Sequence, residues 1–329
     1  MENTKFSILE LAVITENGSA ATSLKNALEL AQHAEKLGYT RFWLAEHHNA
    51  SSIASSATVV LIGYIAGGTK KIRVGSGGIM LPNHVPLIVA EQFGTLETLY
   101  PGRIDLGLGR APGTDRITAR ALRREEAAIL SFKDNIEELQ HYFAPKDVTK
   151  AVRAIPGEGL EVPVYILGSS TDSAHLAAKL GLPYAFAAHF APRQFEAAID
   201  IYRNEFKPSK QLQEPYVIAC VNAAVADTQQ EAEFIASSAF LMFRGVISGR
   251  PVPLMPPVAN INEVLNEYEK TVIAQMLSMT FIGDKSSVQS QLDTFIKRSG
   301  VDEVMFTAHI YDHAARLRSY ELLSEIFTG

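Results

Sequence analysis

KIRVGSGGIMLPNHVPLIVAEQFGTLETLYPGRIDLGLG, residues 71–109, reads as one strand–helix–strand unit. KIRVGSGGIML (71–81) is a strand. PLIVAEQFGTLETLYPG (86–102) is a helix stopped by Pro101. RIDLGLG (103–109) is the next strand. Neither strand alternates cleanly between apolar and polar residues. Near-continuous apolar strands are those of a parallel sheet covered by helices on its outer face.

The same alternation runs outward in both directions. Upstream lie a strand at 6–14, an amphipathic helix at 23–38 closed by Gly38, a strand RFWLAE at 41–46 and an apolar helix at 55–69. Downstream come a helix at 125–143, strands at 162–168, 184–190, 215–226 and 302–310, and helices at 173–181, 192–206, 229–245 and 313–327. Eight strand–helix units at this length predict a closed (β/α)8 barrel spanning residues 1–329 as a single domain. Two stretches break the rhythm. Residues 145–161 form a longer connection. Residues 245–262, GVISGRPVPLMPPVANIN, carry four prolines and form an insertion after strand seven, either an active-site lid or a subunit interface. Residues 263–299 are expected to add helix before the last strand.

Composition bounds the function. The 329 residues are 47% hydrophobic and 20% charged, enough for a large core without staples. A net charge of -6 disfavours nucleic acid and anionic membrane surfaces. The single cysteine, Cys220, excludes an intrachain disulfide and reads as a buried core thiol. The N-terminal MENTKFSILEL lacks the pattern of a secretory leader, and the apolar run at 57–67 is too short for a membrane span. The expected setting is the cytoplasm.

In a barrel of this kind, chemistry sits at the C-terminal ends of the strands. There the chain places Glu46, His47 and His48 after strand two, and Ser76, Gly77 and Gly78 in strand three. Gly109 to Gly113 follow strand four, Gly168 to Thr171 follow strand five, and His189 ends strand six. GSSTDSAH (168–175) opens a helix with hydroxyl residues; alone this is ordinary capping. Arg110 can reach the same helix start, and together they suggest a phosphate pocket. The glycine pairs lack a dinucleotide fingerprint and are read as letting backbone approach a flat ligand. Adjacent His47 and His48 make a poor chelate from a strand, and no HxH, HExxH or CxxC occurs, so no metal site is expected. His33, His84 and His141 are read as surface or structural, and His309 as a structural or rim residue.

These segments together resemble the bacterial luciferase-like flavin monooxygenases over essentially the whole chain. The resemblance rests on RFWLAEHHN, residues 74–115, LGSSTDSAHLAAKLGLPYAFAAHFAP and DHAARLRSYELL. It is nearer the single-subunit branch than a light-emitting subunit. It implies a barrel binding reduced FMN (FMNH2), with F420 used by some relatives. By position it makes His47 and Glu46 the catalytic pair, the histidine an acid–base group beside the flavin and the carboxylate a group that holds the imidazole or contacts the flavin edge. Gly77 and Gly78 match a backbone segment with a non-prolyl cis peptide against the ring. Arg110, Gly168, Ser169, Ser170 and Ser173 match the phosphate site. Luciferase subunits carry a glutamate where this chain has Ser169, so that residue's role does not transfer. The resemblance further implies O2 and a small organic molecule as substrates, a separate flavin reductase and a homodimer. A flavin carrier or sensor without turnover, and an F420-dependent dehydrogenase, remain alternatives.

Overall fold

Parallel pairing closes on itself in the computed structural model, which describes residues 4–111, 114–123 and 131–328. The strands are β1 (Lys5–Glu10), β2 (Arg41–Leu44), β3 (Arg73–Ser76), β4 (Ile79–Met80), β5 (Ile104–Gly109), β6 (Val164–Gly168), β7 (Tyr184–Ala187), β8 (Val217–Ala226), β9 (Thr280–Asp284) and β10 (Glu303–Thr307). Neighbours run in the order β10, β1, β2, β3, β5, β6, β7, β8, and β8 pairs with β10 to close the ring. Eight barrel positions result, flanked by helices, as the strand–helix alternation predicts.

The Gly77–Gly78 peptide is cis, as the resemblance implies. Other details differ from the sequence-based expectation: the third strand breaks at that peptide. β4 resumes beyond the break and pairs Ile79 with Leu108 and Met80 with Gly109 of β5. The region 263–299 is not helix alone, for it contains β9. β8 forks: Ile218 to Asn222 pair with β10, while Asn222 to Ala226 pair with β9. A five-residue strand between two helices gives too short a period to read. The expected helix at 125–143 is present over Phe132–Tyr142; residues 124–130 lie outside the described residues.

The core has two layers. The larger fills the space between barrel and helices, with Phe42, Phe93, Phe186 and Phe306 fully buried. The smaller lies inside the barrel and includes Leu9, Trp43, Tyr165, Ile218, Cys220 and Met305. Burial pushes the Cys220 thiol pKa well up, consistent with an inert core thiol. At the strand starts, buried Arg41 donates to Glu303 Oε1 at 2.9 Å, Asp105 Oδ2 at 2.8 Å and the Tyr165 hydroxyl at 2.7 Å. This ion network ties β2, β5, β6 and β10 at the end opposite the strand C-termini.

The helix after β8 runs over Gln229–Ile247, and the proline-rich stretch then crosses to the connection after β1. Leu254 N–H donates to Ile14 O at 2.9 Å, and Glu16 N–H donates to Leu254 O at 2.8 Å. Leu254 is buried, and Val258 N–H donates to Ser237 Oγ at 2.8 Å. The insertion is thus a strap hydrogen-bonded to the loop at the C-terminal end of β1.

Candidate active site

The residues expected from sequence gather at the C-terminal rim, with different partners from those the sequence suggests. Glu46, at the end of β2, is buried and does not bond the His47 ring. Its Oε1 accepts from His48 Nε2 at 2.8 Å, His84 Nε2 at 2.9 Å and Asn83 Nδ2 at 3.3 Å. Its Oε2 accepts from Met80 N–H and from His84 Nε2, both at 3.0 Å. Burial pushes this carboxyl pKa up. The His84, His48 and Met80 hydrogen bonds outweigh that, and the net position is below the usual carboxylate value. The ionised carboxylate therefore ties the end of β2 to the loop that carries Gly77–Gly78. Of the two readings open for His84, surface or structural, the knot makes it structural, and nothing local in sequence links it to Glu46. The ligating atoms of Glu46, His48 and His84 lie within 4.8 Å of one another, a set with metal-site composition. Both Nε2 atoms already point at Glu46, so hydrogen bonding satisfies the cluster without an ion.

His47 is the free member of the motif. Its backbone N–H donates to Ser55 O at 3.1 Å, while its buried Nδ1 has no protein partner among the described residues. Burial lowers its pKa, Glu46 opposes that, and His48 adds to it, for a net shift downward. The ring is therefore neutral at pH 7, with one nitrogen available at the rim.

The glycines of β3 answer to packing. A Cβ on Gly77 would stand 2.6 Å from Leu9 Cδ1 and 3.1 Å from Trp43 Cβ; one on Gly78 would stand 2.8 Å from Gly107 O. The barrel wall itself thus leaves no room for a side chain at either position.

On the opposite side of the rim, the helix Thr171–Leu180 begins directly after β6. Ser170 is its N-cap but makes no side-chain cap bond, and the hydroxyls of Ser169 and Ser170 have no protein partner among the described residues. Ser173 is turned inward: its Oγ donates to Ser170 O at 2.6 Å and lies 2.9 Å from the Tyr184 hydroxyl. A Cβ on Gly168 would fall 1.8 Å from that Oγ, so Gly168 makes room for it. Ser173 shapes the loop from behind rather than facing outward. Arg110, after β5, reaches the helix start by pairing with Asp172 Oδ2 at 3.2 Å. Gln194 Oε1, from the segment after β7, accepts the Thr171 N–H at 3.1 Å. Of the motif after Arg110, Pro112 and Gly113 lie outside the described residues. A helix N-terminus and a guanidinium thus stand together at this rim, with Asp172 and Gln194 supplying the oxygens now in contact.

The rim also gathers His189, Asn222 and His309, which the sequence singled out weakly or not at all; all three are buried. No described helix is long and apolar enough to cross a membrane.

Comparison with known proteins shows which family the chain resembles. The family model for luciferase-like monooxygenases matches residues 4–303. A protein of Escherichia coli K12 named luciferase-like monooxygenase is 48% identical, over 98% of this chain and 96% of its own. The N-acetyl-S-alkylcysteine monooxygenase of Bacillus subtilis is 34% identical, over 98% of this chain and 97% of its own. Among solved structures, the oxygenating constituent of 3,6-diketocamphane monooxygenase from a Pseudomonas putida plasmid, bound to FMN, superposes with a TM-score of 0.73. It shares 16% identity, over 98% of this chain and 97% of that one, a likeness of fold alone.

Proposed function

The chain belongs to the luciferase-like monooxygenase family, and from that premise we propose that it is an FMN-dependent monooxygenase that uses reduced flavin and O2 to oxidise a small organic substrate. One observation carries the reading: the Arg110 guanidinium at a helix N-terminus and a buried imidazole whose Nδ1 has no partner among the described residues occupy the same barrel rim. Unpartnered Ser169 and Ser170 hydroxyls, a helix N-terminus and Arg110 suit a phosphomonoester. The buried Nδ1 of His47 suits a group that must take or give a proton. Bound FMN would supply the two-electron activation of O2.

The chain's own residues do the rest. Arg110, Ser169, Ser170 and the first N–H groups of the Thr171–Leu180 helix hold the phosphate, and Ser173 and Gly168 fix the loop they stand on. His47 moves the proton at Nδ1, since burial keeps it neutral and ready to accept near pH 7. Glu46 acts as a positioning residue, holding the Gly77–Gly78 segment through Met80, Asn83 and His84. The strap through Leu254 excludes water from the rim. Exposed Val60 and Tyr64 on the helix Thr58–Gly68, with Ile88 and Leu99 on the helix Pro86–Leu99, suit a homodimer contact. A separate reductase and a cytoplasmic setting complete the reading, which also fits the single buried cysteine.

The test is oxygen-18 incorporation. The protein, a flavin reductase, FMN and the thioether N-acetyl-S-methylcysteine, chosen from the B. subtilis relative's name, are incubated under labelled O2. A singly labelled product, lost in His47→Ala, supports the reading. FMN binding with no oxygenated product across a thioether, ketone and aldehyde panel identifies a carrier instead. Turnover with F420 and none with FMN identifies a dehydrogenase.

A further inference from the structure

Buried polar atoms in folded proteins nearly always have a hydrogen-bond partner. Three neighbouring barrel positions each carry one that does not. His189 follows β7, Asn222 is the last β8 residue paired with β10, and His309 follows β10. Their exposures are 9%, 4% and 5%. His189 Nδ1, Asn222 Oδ1 and His309 Nδ1 each lack a protein partner, as does Thr280 Oγ1 beside them. These side chains are held in place. Asn222 Nδ2 donates to the His189 backbone oxygen at 2.6 Å, which fixes where its Oδ1 points. The His189 ring meets the Phe190 ring edge-on at 4.8 Å, and the His309 ring lies 6.4 Å from Phe243.

The polarity here carries no charge. Burial, with His309 and His47 nearby, lowers the His189 pKa to about 3; burial, with Arg316 nearby, lowers that of His309 to about 4. Both rings are neutral throughout the working range. Arg316 is itself paired with Glu10 at 2.9 Å. A carboxylate would meet unshielded lone pairs, and the cation beside His309, Arg316, is already shared with Glu10. An ammonium would meet two neutral rings, with the Glu10 carboxylate already engaged by Arg316. Asn222, Thr280 and His309, without His189, also border a small cavity of about 10 Å³ whose wall includes Ala223, Ala236 and Phe240. Such a surface is complementary to a neutral hydrogen-bonding group on an apolar body.

We propose that His189, Asn222 and His309 form a subsite that reads a neutral hydroxyl, amide or imide group of the bound ligand, apart from the anion end at Arg110. The inference deepens the monooxygenase reading, and rests on it for which molecule brings the group: the imide edge of the flavin or the organic substrate.

The experiment follows the ring nitrogens of the full chain, labelled with 15N in its histidines. His189→Gln and His309→Gln assign the two rings. If either variant fails to fold, Phe190→Leu and Phe243→Leu mark them through the changed neighbouring ring. The probes are N-methylacetamide, acetate, FMN and 3-methyl-FMN. The proposal expects N-methylacetamide or FMN to shift both rings saturably, and acetate to leave them unmoved. A shift with FMN that 3-methyl-FMN fails to give assigns the group to the flavin imide. A shift by N-methylacetamide that persists with FMN bound assigns it to the organic substrate. Rings unmoved by N-methylacetamide and by FMN overturn the proposal, as do rings moved equally by acetate. Flavin fluorescence in the same samples keeps the two ideas separate. No FMN binding with rings still moved by N-methylacetamide defeats the flavin reading and leaves the subsite standing.

Discussion

Arg110→Ala tests the anion site, and the structure sets the size of the effect. Hydrogen bonds from a guanidinium to a charged group contribute about 1.5–3 kcal/mol. Arg110 is not idle before a ligand arrives, because it pairs with Asp172 at 3.2 Å. That pair is open to solvent, with side-chain exposures of 48% and 69%, so its worth is only about 0.2–1 kcal/mol. A phosphate must displace it. The net loss expected on removing Arg110 is therefore roughly 0.5–2.8 kcal/mol, or about 2- to 100-fold in Kd for FMN. Asp172→Asn should act in the opposite direction, tightening FMN by up to about fivefold, because it removes a competing anion and a like charge. Equilibrium titration by flavin fluorescence at low and high salt reads both, and the Arg110 effect should shrink with salt. Riboflavin, which lacks the phosphate, should bind both variants as it binds the parent. An FMN affinity unchanged in Arg110→Ala, or an equal loss for riboflavin, refutes the placement of the phosphate at this helix start.

Other consequences follow from the same contacts. Arg41→Met leaves Glu303 without its buried cation and Asp105 with Arg73 alone; it should cost about 3–5 kcal/mol in urea denaturation, and a loss below about 1 kcal/mol would show the network to be dispensable. His189 and His309 stay neutral in the fold to about pH 3 and 4, whereas unfolded histidine takes its proton near pH 6.5. Between those values the unfolded chain binds more protons, so stability is complete above the unfolded value and lost as pH falls, by up to about 1.4 kcal/mol per pH unit for each ring. Denaturation at pH 5, 6, 7 and 8 should show that slope, reduced in His309→Gln; equal stability at pH 5 and 7 contradicts it. Deleting residues 250–258 removes the strap at Leu254. FMN binding should survive while hydrogen peroxide is released faster on mixing with O2, whereas a monomeric product with unchanged peroxide release would make the segment an interface.

The barrel was legible because its strands are apolar throughout and several helices end in glycine or proline, signals that need only a few consecutive residues. The region around β9 was not, since Thr280–Asp284 is short and lies among helices. The site was legible in position but not in wiring. EHH marks the end of β2, yet nothing in residues 46–48 says that Glu46 serves His48 and His84 rather than His47. That pairing arises only when the loop after β4 folds back over β2. Gly77 and Gly78 carry the same lesson: glycine in a motif signals close approach, and only packing reveals that the approach is to Leu9, Trp43 and Gly107. His309 was read as a structural or rim residue; its grouping with His189 and Asn222 was not legible, because those two lie more than eighty residues earlier in the chain.

The central claim, that this rim binds reduced FMN, is tested most directly by anaerobic titration of the protein with reduced FMN and, separately, reduced F420. Saturable binding of one reduced FMN per chain, tighter than F420 and weakened in Arg110→Ala, is the predicted result. Binding of neither cofactor, or saturable binding of F420 alone, would contradict the account.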